Sequence, residues 1–164
     1  MKIYPEPTFQ KNILALFNLQ NPAACAQIIG NKLAPKLHGM AYFYSVPQGG
    51  LLIEVEVFGL PKLNSINSSF YGMHIHENGN CRPPFDKTGD HYNPKKRPHP
   101  EHAGDLPPLL GNSGYAYAAF YTDRLDADDI IGRSLIIHSN PDDFTTQPSG
   151  NSGNKIGCGI IFQP

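Results

Sequence analysis

Proline and glycine, 16 of each among 164 residues, interrupt this chain so often that long helices are disfavoured and short strands joined by turns are expected. Between the interruptions lie runs with the two-residue period of a strand. In Leu51-Leu52-Ile53-Glu54-Val55-Glu56-Val57 the two carboxylates alternate with Ile53, Val55 and Val57, which puts the apolar trio on one face. Comparable runs at Met40–Val46, Phe70–His76, Tyr115–Tyr121, Ser134–His138 and Ile156–Phe162 are rich in β-branched or aromatic residues and bounded by Gly, Pro, Asn or Asp. Strand character begins at about residue 22, no internal repeat is visible, and helical periodicity is confined to the N-terminus. The expected class is all-β, an antiparallel barrel or sandwich of about eight strands.

A chain of this length suits one domain and one core, removing about two-thirds of its unfolded surface from water. A net charge of −1 gives no footing for a nucleic-acid binder. No run approaches the roughly 18 apolar residues of a membrane span, so a soluble protein is expected. The N-terminus shows a faint secretory look, with Ile13-Leu14-Ala15-Leu16-Phe17 ahead of Ala24-Cys25-Ala26. Glu6 and two prolines before the run, and Asn18, Gln20 and Asn21 after it, depart from the basic start and unbroken stretch of a signal peptide. A short amphipathic helix carrying Ile13, Leu14, Leu16 and Phe17 is the better expectation. Residues 1–22 then form an extension and 23–164 the barrel domain. The sequence as given reads as cytoplasmic, or as extracytoplasmic if its N-terminus is truncated or processed.

Two segments break the strand pattern. Residues 77–113 carry Pro83-Pro84, Pro94, Pro98, Pro100 and Pro107-Pro108, and residues 139–155 are rich in Gly, Ser and Asn. Loops this long in a compact domain are functional or disordered. Six of the seven histidines, His74, His76, His91, His99, His102 and His138, lie within or beside them. His74 and His76, two apart on a strand, point to the same side at a separation suited to one metal ion, although a polar strand edge would look the same. His91-x7-His99-x2-His102-x2-Asp105 is stronger, because three imidazoles and a carboxylate on a proline-stiffened loop make a tetrahedral set for zinc. His138 alone would pass for an ordinary strand end. Three cysteines, Cys25, Cys81 and Cys158, leave at least one unpaired, and arithmetic does not choose the pair.

From about Gly72 to the C-terminus the chain resembles the copper/zinc superoxide dismutases. The likeness lies in Gly72-Met73-His74-Ile75-His76-Glu77, Gly89-Asp90-His91-Tyr92-Asn93-Pro94, His102-Ala103-Gly104-Asp105-Leu106, Ile131-Gly132-Arg133-Ser134-Leu135-Ile136-Ile137-His138 and Gly157-Cys158-Gly159-Ile160-Ile161. The resemblance implies a Greek-key barrel, with copper on His74, His76, His91 and His138 and zinc on His91, His99, His102 and Asp105, His91 being shared. It also implies a Cys81–Cys158 disulfide with Cys25 free, and a role for Asp142 in orienting one histidine of each set. One position departs: where the family pattern Gly-Asn-x-Gly-x-Arg places arginine over the copper, this chain has Gly150-Asn151-Ser152-Gly153-Asn154-Lys155. Lysine keeps the charge and loses the planar fork.

The implied activity is disproportionation of superoxide by redox cycling of copper, with His91 and Lys155 as the catalytic candidates. A noncatalytic metal-binding or copper-delivery module on the same fold is the alternative, and it would be expected to lack copper ligands, whereas this chain lacks none. A zinc hydrolase would need an open coordination position and a glutamate base, and no His-Glu-x-x-His is present. Relatives of this kind are often dimers; no face of this sequence distinguishes a homodimer from a monomer.

Overall fold

A computed structural model of the chain describes residues 21–63 and 66–164. The expected amphipathic helix around Ile13, Leu14, Leu16 and Phe17 lies outside the described residues.

Nine antiparallel strands form among these residues: β1 (Ala24–Gly30), β2 (His38–Ser45), β3 (Leu51–Phe58), β4 (Phe70–Tyr71), β5 (Met73–His76), β6 (Leu109–Leu110), β7 (Tyr115–Thr122), β8 (Ser134–His138) and β9 (Lys155–Phe162). Seven join one curled sheet in the order β5-β8-β9-β1-β2-β3-β7, and β4 pairs with β6 alone. The sequence order is broken where β9 sits between β8 and β1 and where β7 returns to β3, the crossovers of a Greek-key barrel. No helix of the described residues is long and apolar enough to cross a membrane.

The alternation read from β3 decides its orientation. Ile53, Val55 and Val57 are fully buried in the main core, beside Ala41 and Phe43 of β2 and Ile28 of β1. The carboxylates on the opposite face are held by the neighbouring strand, Glu54 by the Tyr117 hydroxyl (2.9 Å) and Glu56 by the Tyr115 hydroxyl (3.0 Å). Glu54 is buried, which alternation alone does not predict.

Ala24-Cys25-Ala26, whose faint look of a cleavage site the sequence reading set aside, is the buried start of β1, paired with Phe43, Tyr42 and Ala41. Two details differ from the sequence reading. The run expected over residues 70–76 is split at Gly72. There the peptide N–H donates to the Asn140 carbonyl (2.7 Å) and the carbonyl accepts from His138 N–H (2.8 Å), so its hydrogen bonds go to the end of β8 and to the start of the second long loop. One short helix, α1 (Ala127–Ile130), follows Asp126, whose backbone N–H donates to Asp129 Oδ2 (2.9 Å) to close the first turn. It buries Ile130 in the core.

The first long loop is tied to the sheet by a disulfide between Cys81 and Cys158 of β9, and Cys25 is a free, buried thiol. The bridge packs with Phe85 and Ile136 in a small apolar cluster apart from the main core. Farther along, the loop is stitched to β5: Tyr92 N–H donates to the Ile75 carbonyl (2.8 Å), and Ile75 N–H to the Gly104 carbonyl (2.9 Å). Gly104 permits this approach, because a Cβ there would overlap the Ile75 carbonyl oxygen.

Candidate metal centre

The pairing of β5 with β8 assembles the first histidines. His74 faces Ile136 and His76 faces Ser134 across the ladder, and His138 ends β8 one pair beyond Met73↔Ile137. The stitched loop lies along the free edge of β5, bridging His76 to His91 and His74 to Asp105. All six histidines are buried, at 7 % exposure or less.

Two groups of potential ligands result, and they share one residue. His74, His76, His91 and His138 offer nitrogens all within 4.8 Å of one another, and His91, His99, His102 and Asp105 do the same. His91 Nδ1 lies 2.8 Å from Asp105 Oδ1 in the second group, while its ring stacks on His74 in the first with centroids 3.8 Å apart. Asp105 Oδ2 also lies 3.0 Å from His99 Nδ1 and 3.3 Å from His102 Nδ1.

The tautomers show what these groups suit. His76 Nδ1 donates to the Gly89 carbonyl (2.8 Å) and His138 Nδ1 to the Gly153 carbonyl (3.4 Å). Each Nε2 then carries a lone pair, yet the two Nε2 atoms face each other at 3.3 Å. Two acceptors at that distance repel unless a cation joins them. Asp142 sets two more rings in the same way, Oδ2 accepting from His74 Nε2 (2.7 Å) and Oδ1 from His99 Nε2 (2.9 Å). This leaves His74 Nδ1 and His99 Nδ1 as bare lone pairs. Those two atoms, with His91 Nε2 and His102 Nδ1, are buried with no hydrogen-bond partner. Orphaned acceptors of this kind are costly without a ligand, and their arrangement fits metal cations. An all-imidazole set suits a redox-active metal such as copper, and a mixed nitrogen and carboxylate tetrahedron suits zinc.

The electrostatics point the same way. Burial pulls the imidazole of His74 down to about 4, and burial with neighbouring imidazoles also holds His76 and His138 below their ordinary values, so all three are neutral at neutral pH. Burial opposes ionisation of Asp105, but the hydrogen bond from His91 and the charges of His91, His102 and His99 outweigh it, and the carboxyl titrates below its usual range. Asp142 behaves alike, with His74, the Phe144 peptide and His99 as donors.

Beside the first group lies a cavity of about 450 Å³ lined in part by His76, His91, His138, Asp90, Lys96 and Lys155. Lys155 Nζ donates to Thr88 Oγ1 (2.8 Å) and to the Gly89 carbonyl (2.9 Å), the oxygen that also accepts from His76 Nδ1. Burial draws its ammonium below the ordinary value, opposed by the charges of Asp90 and Asp86. Every candidate metal ligand, with Asp142 and Lys155, therefore lies in one of the two groups, against them or in this cavity, and the disulfide anchors the loop behind them. Thr88 and Gln147 were not singled out, and Gly89 entered only as the first residue of the His91 motif. Their contacts run through main-chain atoms or across long separations, and nothing in their local sequence announces them.

Comparison with known proteins agrees with this geometry. Residues 37–161 match the family described as copper/zinc superoxide dismutase (SODC). The chain is 33% identical over 172 aligned positions to a superoxide dismutase [Cu-Zn] of Deinococcus radiodurans, covering 92% of this chain and 90% of that one. It is 30% identical to the human copper chaperone for superoxide dismutase, over 87% of this chain and 54% of that protein. Among solved structures, the clock protein EA4 superposes with a TM-score of 0.74 at 25% identity, covering 88% of this chain and 97% of the other.

Proposed function

The chain belongs to the copper/zinc superoxide dismutase family, and on that premise we propose that it disproportionates superoxide to dioxygen and hydrogen peroxide, with His74, His76, His91 and His138 holding copper and His91, His99, His102 and Asp105 holding zinc. The observation that supports this reading is the double membership of His91: its ring belongs to both groups of potential ligands, and the nitrogen not directed at Asp105 is buried without a partner. Copper held there would supply the one-electron redox chemistry that disproportionation needs, while zinc would be redox-silent.

The chain's own residues supply the rest. Gly89 and Gly153 carbonyls hold the His76 and His138 rings with Nε2 turned inward. Asp142 does the same for Nδ1 of His74 and His99. His91 Nε2 is the atom that can take up a proton and deliver it to the departing peroxide, and its Nδ1 contact keeps the ring from turning meanwhile. Lys155 attracts a small anion into the cavity; superoxide dismutases are themselves a familiar case of such steering. Two of its three N–H donors are committed to Thr88 and Gly89, which fixes the charge beside His76 and leaves the third for the cavity.

Metal content per chain, measured on protein isolated without added metal, together with stopped-flow decay of superoxide, tests the proposal. One copper and one zinc with rapid decay is the expected result. Metal bound without turnover would favour the copper-delivery reading, and zinc alone would remove copper from the account.

A further inference from the structure

His99 is gripped by the second long loop at its main chain as well as at its ring. Gln147 extends its carboxamide across the gap between the loops, Oε1 accepting from His99 N–H (3.0 Å) and Nε2 donating to the His99 carbonyl (2.7 Å). Both polar groups of one residue are thus matched by both polar atoms of one side chain, 48 positions away in sequence. The turn that presents Gln147 is itself organised: Asp143 accepts from the Thr145 and Thr146 peptides (2.9 and 2.8 Å) and from Thr146 Oγ1 (2.6 Å). Thr146 in turn accepts from Gly150 N–H (2.7 Å). Gly150 lies against the far end of the same histidine, where a Cβ would overlap Asp142 Oδ1 and crowd His99 Nε2.

We propose that Gln147 is a positioning residue for zinc, fixing the main chain of His99 so that the second loop governs how firmly the first retains its metal. The inference rests on the reading that His99 is a zinc ligand. A ring whose Nε2 is tethered to Asp142 and whose backbone is clamped at N–H and carbonyl has little freedom left, so its Nδ1 stays directed at the group formed by His91, His102 and Asp105. Gln147 is itself exposed and contributes little to the core, so its removal should be felt at His99 rather than in the fold.

The test uses the metal-loaded full chain and follows zinc transfer to a chromogenic chelator. Gln147→Met, close in size but without the amide, should release zinc about tenfold faster than the parent chain. Gln147→Asn, which keeps the amide but stops one methylene short, should release it as fast as the Met variant. Thr146→Val, which loosens the same turn without touching His99, should stay within about twofold. With cobalt(II) in place of zinc, the visible ligand-field bands should shift in both Gln147 variants and not in Thr146→Val. Parental release rates and unshifted bands in either Gln147 variant would overturn the proposal, as would equal zinc loss from Thr146→Val, which would mean general loosening of the loop. Failure of the parent chain to bind zinc would overturn both this proposal and the reading beneath it.

Discussion

The two ligand groups share His91 but are built on different supports. In the group proposed for copper, His74, His76 and His138 stand on β5 and at the end of β8, so their spacing is set by a ladder of backbone hydrogen bonds. In the group proposed for zinc, every member lies between residues 91 and 105 of a loop without regular structure beyond isolated bridges. That loop takes its shape from distant contacts: Gly104 and Tyr92 against β5, and Asp142 and Gln147 from the second loop. A strand-held site inherits its geometry from register, whereas a loop-held site must have it imposed by side chains far away in sequence. The two groups should therefore fail in different ways.

The sharpest break of that comparison is one ligand removed from each side. His138→Ala takes an imidazole from the end of β8 and should lower dismutase activity by more than about 100-fold while leaving zinc bound. Asp105→Ala removes a carboxylate that meets three histidines and should weaken zinc far more than copper. Both are read by metal analysis after dialysis against a chelator, with superoxide decay in parallel. Full activity of the His138→Ala protein would sink the copper assignment.

The disulfide is the covalent tie between the looped region and the sheet. A Cys81→Ser, Cys158→Ser double variant should lose about 2–5 kcal/mol of stability, an expected fall in melting temperature of about 4–20 °C. If the loop depends on that tie more than the strands do, the double variant should lose zinc before it loses copper. Calorimetry of both proteins, each with the metals counted, gives the answer; an unchanged melting temperature would show that the bridge contributes nothing.

Asp142 touches both groups and so tests how separate they are. Asp142→Ala removes the acceptor for His74 Nε2 and for His99 Nε2, and affinity at the zinc group should fall about 10–100-fold. His74 keeps its place on β5, so copper should fall by less. Equal losses in chelator competition would show that the strand alone does not orient His74, and the contrast between the supports would collapse at that position.

What the sequence makes legible follows the same division. Alternation identified the inward face of β3, and the fully buried Ile53, Val55 and Val57 agree, because period and burial are local properties. The break at Gly72 was hidden, since its hydrogen bonds go to Asn140 and His138. The two-residue strands β4 and β6 are too short for any period to show. At the centre, residue type and spacing pointed to His91, His99, His102 and Asp105 as one set, whereas His138 joined His74 and His76 only through the family resemblance. The clamp of Gln147 on His99 and the anchoring of Lys155 by Thr88 and Gly89 were not legible, because each joins segments that only the fold brings together.

The smallest expected effect belongs to Lys155, where β9 begins beside the strand-held group and the family pattern has arginine. Its Nζ is fixed by Thr88 and Gly89 at the wall of the cavity that His76, His91 and His138 also line, so its charge acts at the place a small anion must reach. Lys155→Glu reverses that charge and should lower kcat/KM by about tenfold. A larger loss is not expected, because Lys96 lines the same cavity and keeps part of the positive field. Lys155→Arg should leave the rate unchanged if charge alone steers, and raise it if a planar fork holds the anion better than a single ammonium. Raising ionic strength should slow the Lys and Arg forms, since the field is screened over about 10 Å at 0.1 M salt, and should narrow their lead over the Glu form. Stopped-flow superoxide decay for the three proteins at low and high salt measures this directly. Identical rates throughout would mean that Lys155 serves only to pin the Thr88–Gly89 segment and, through the shared Gly89 carbonyl, the ring of His76.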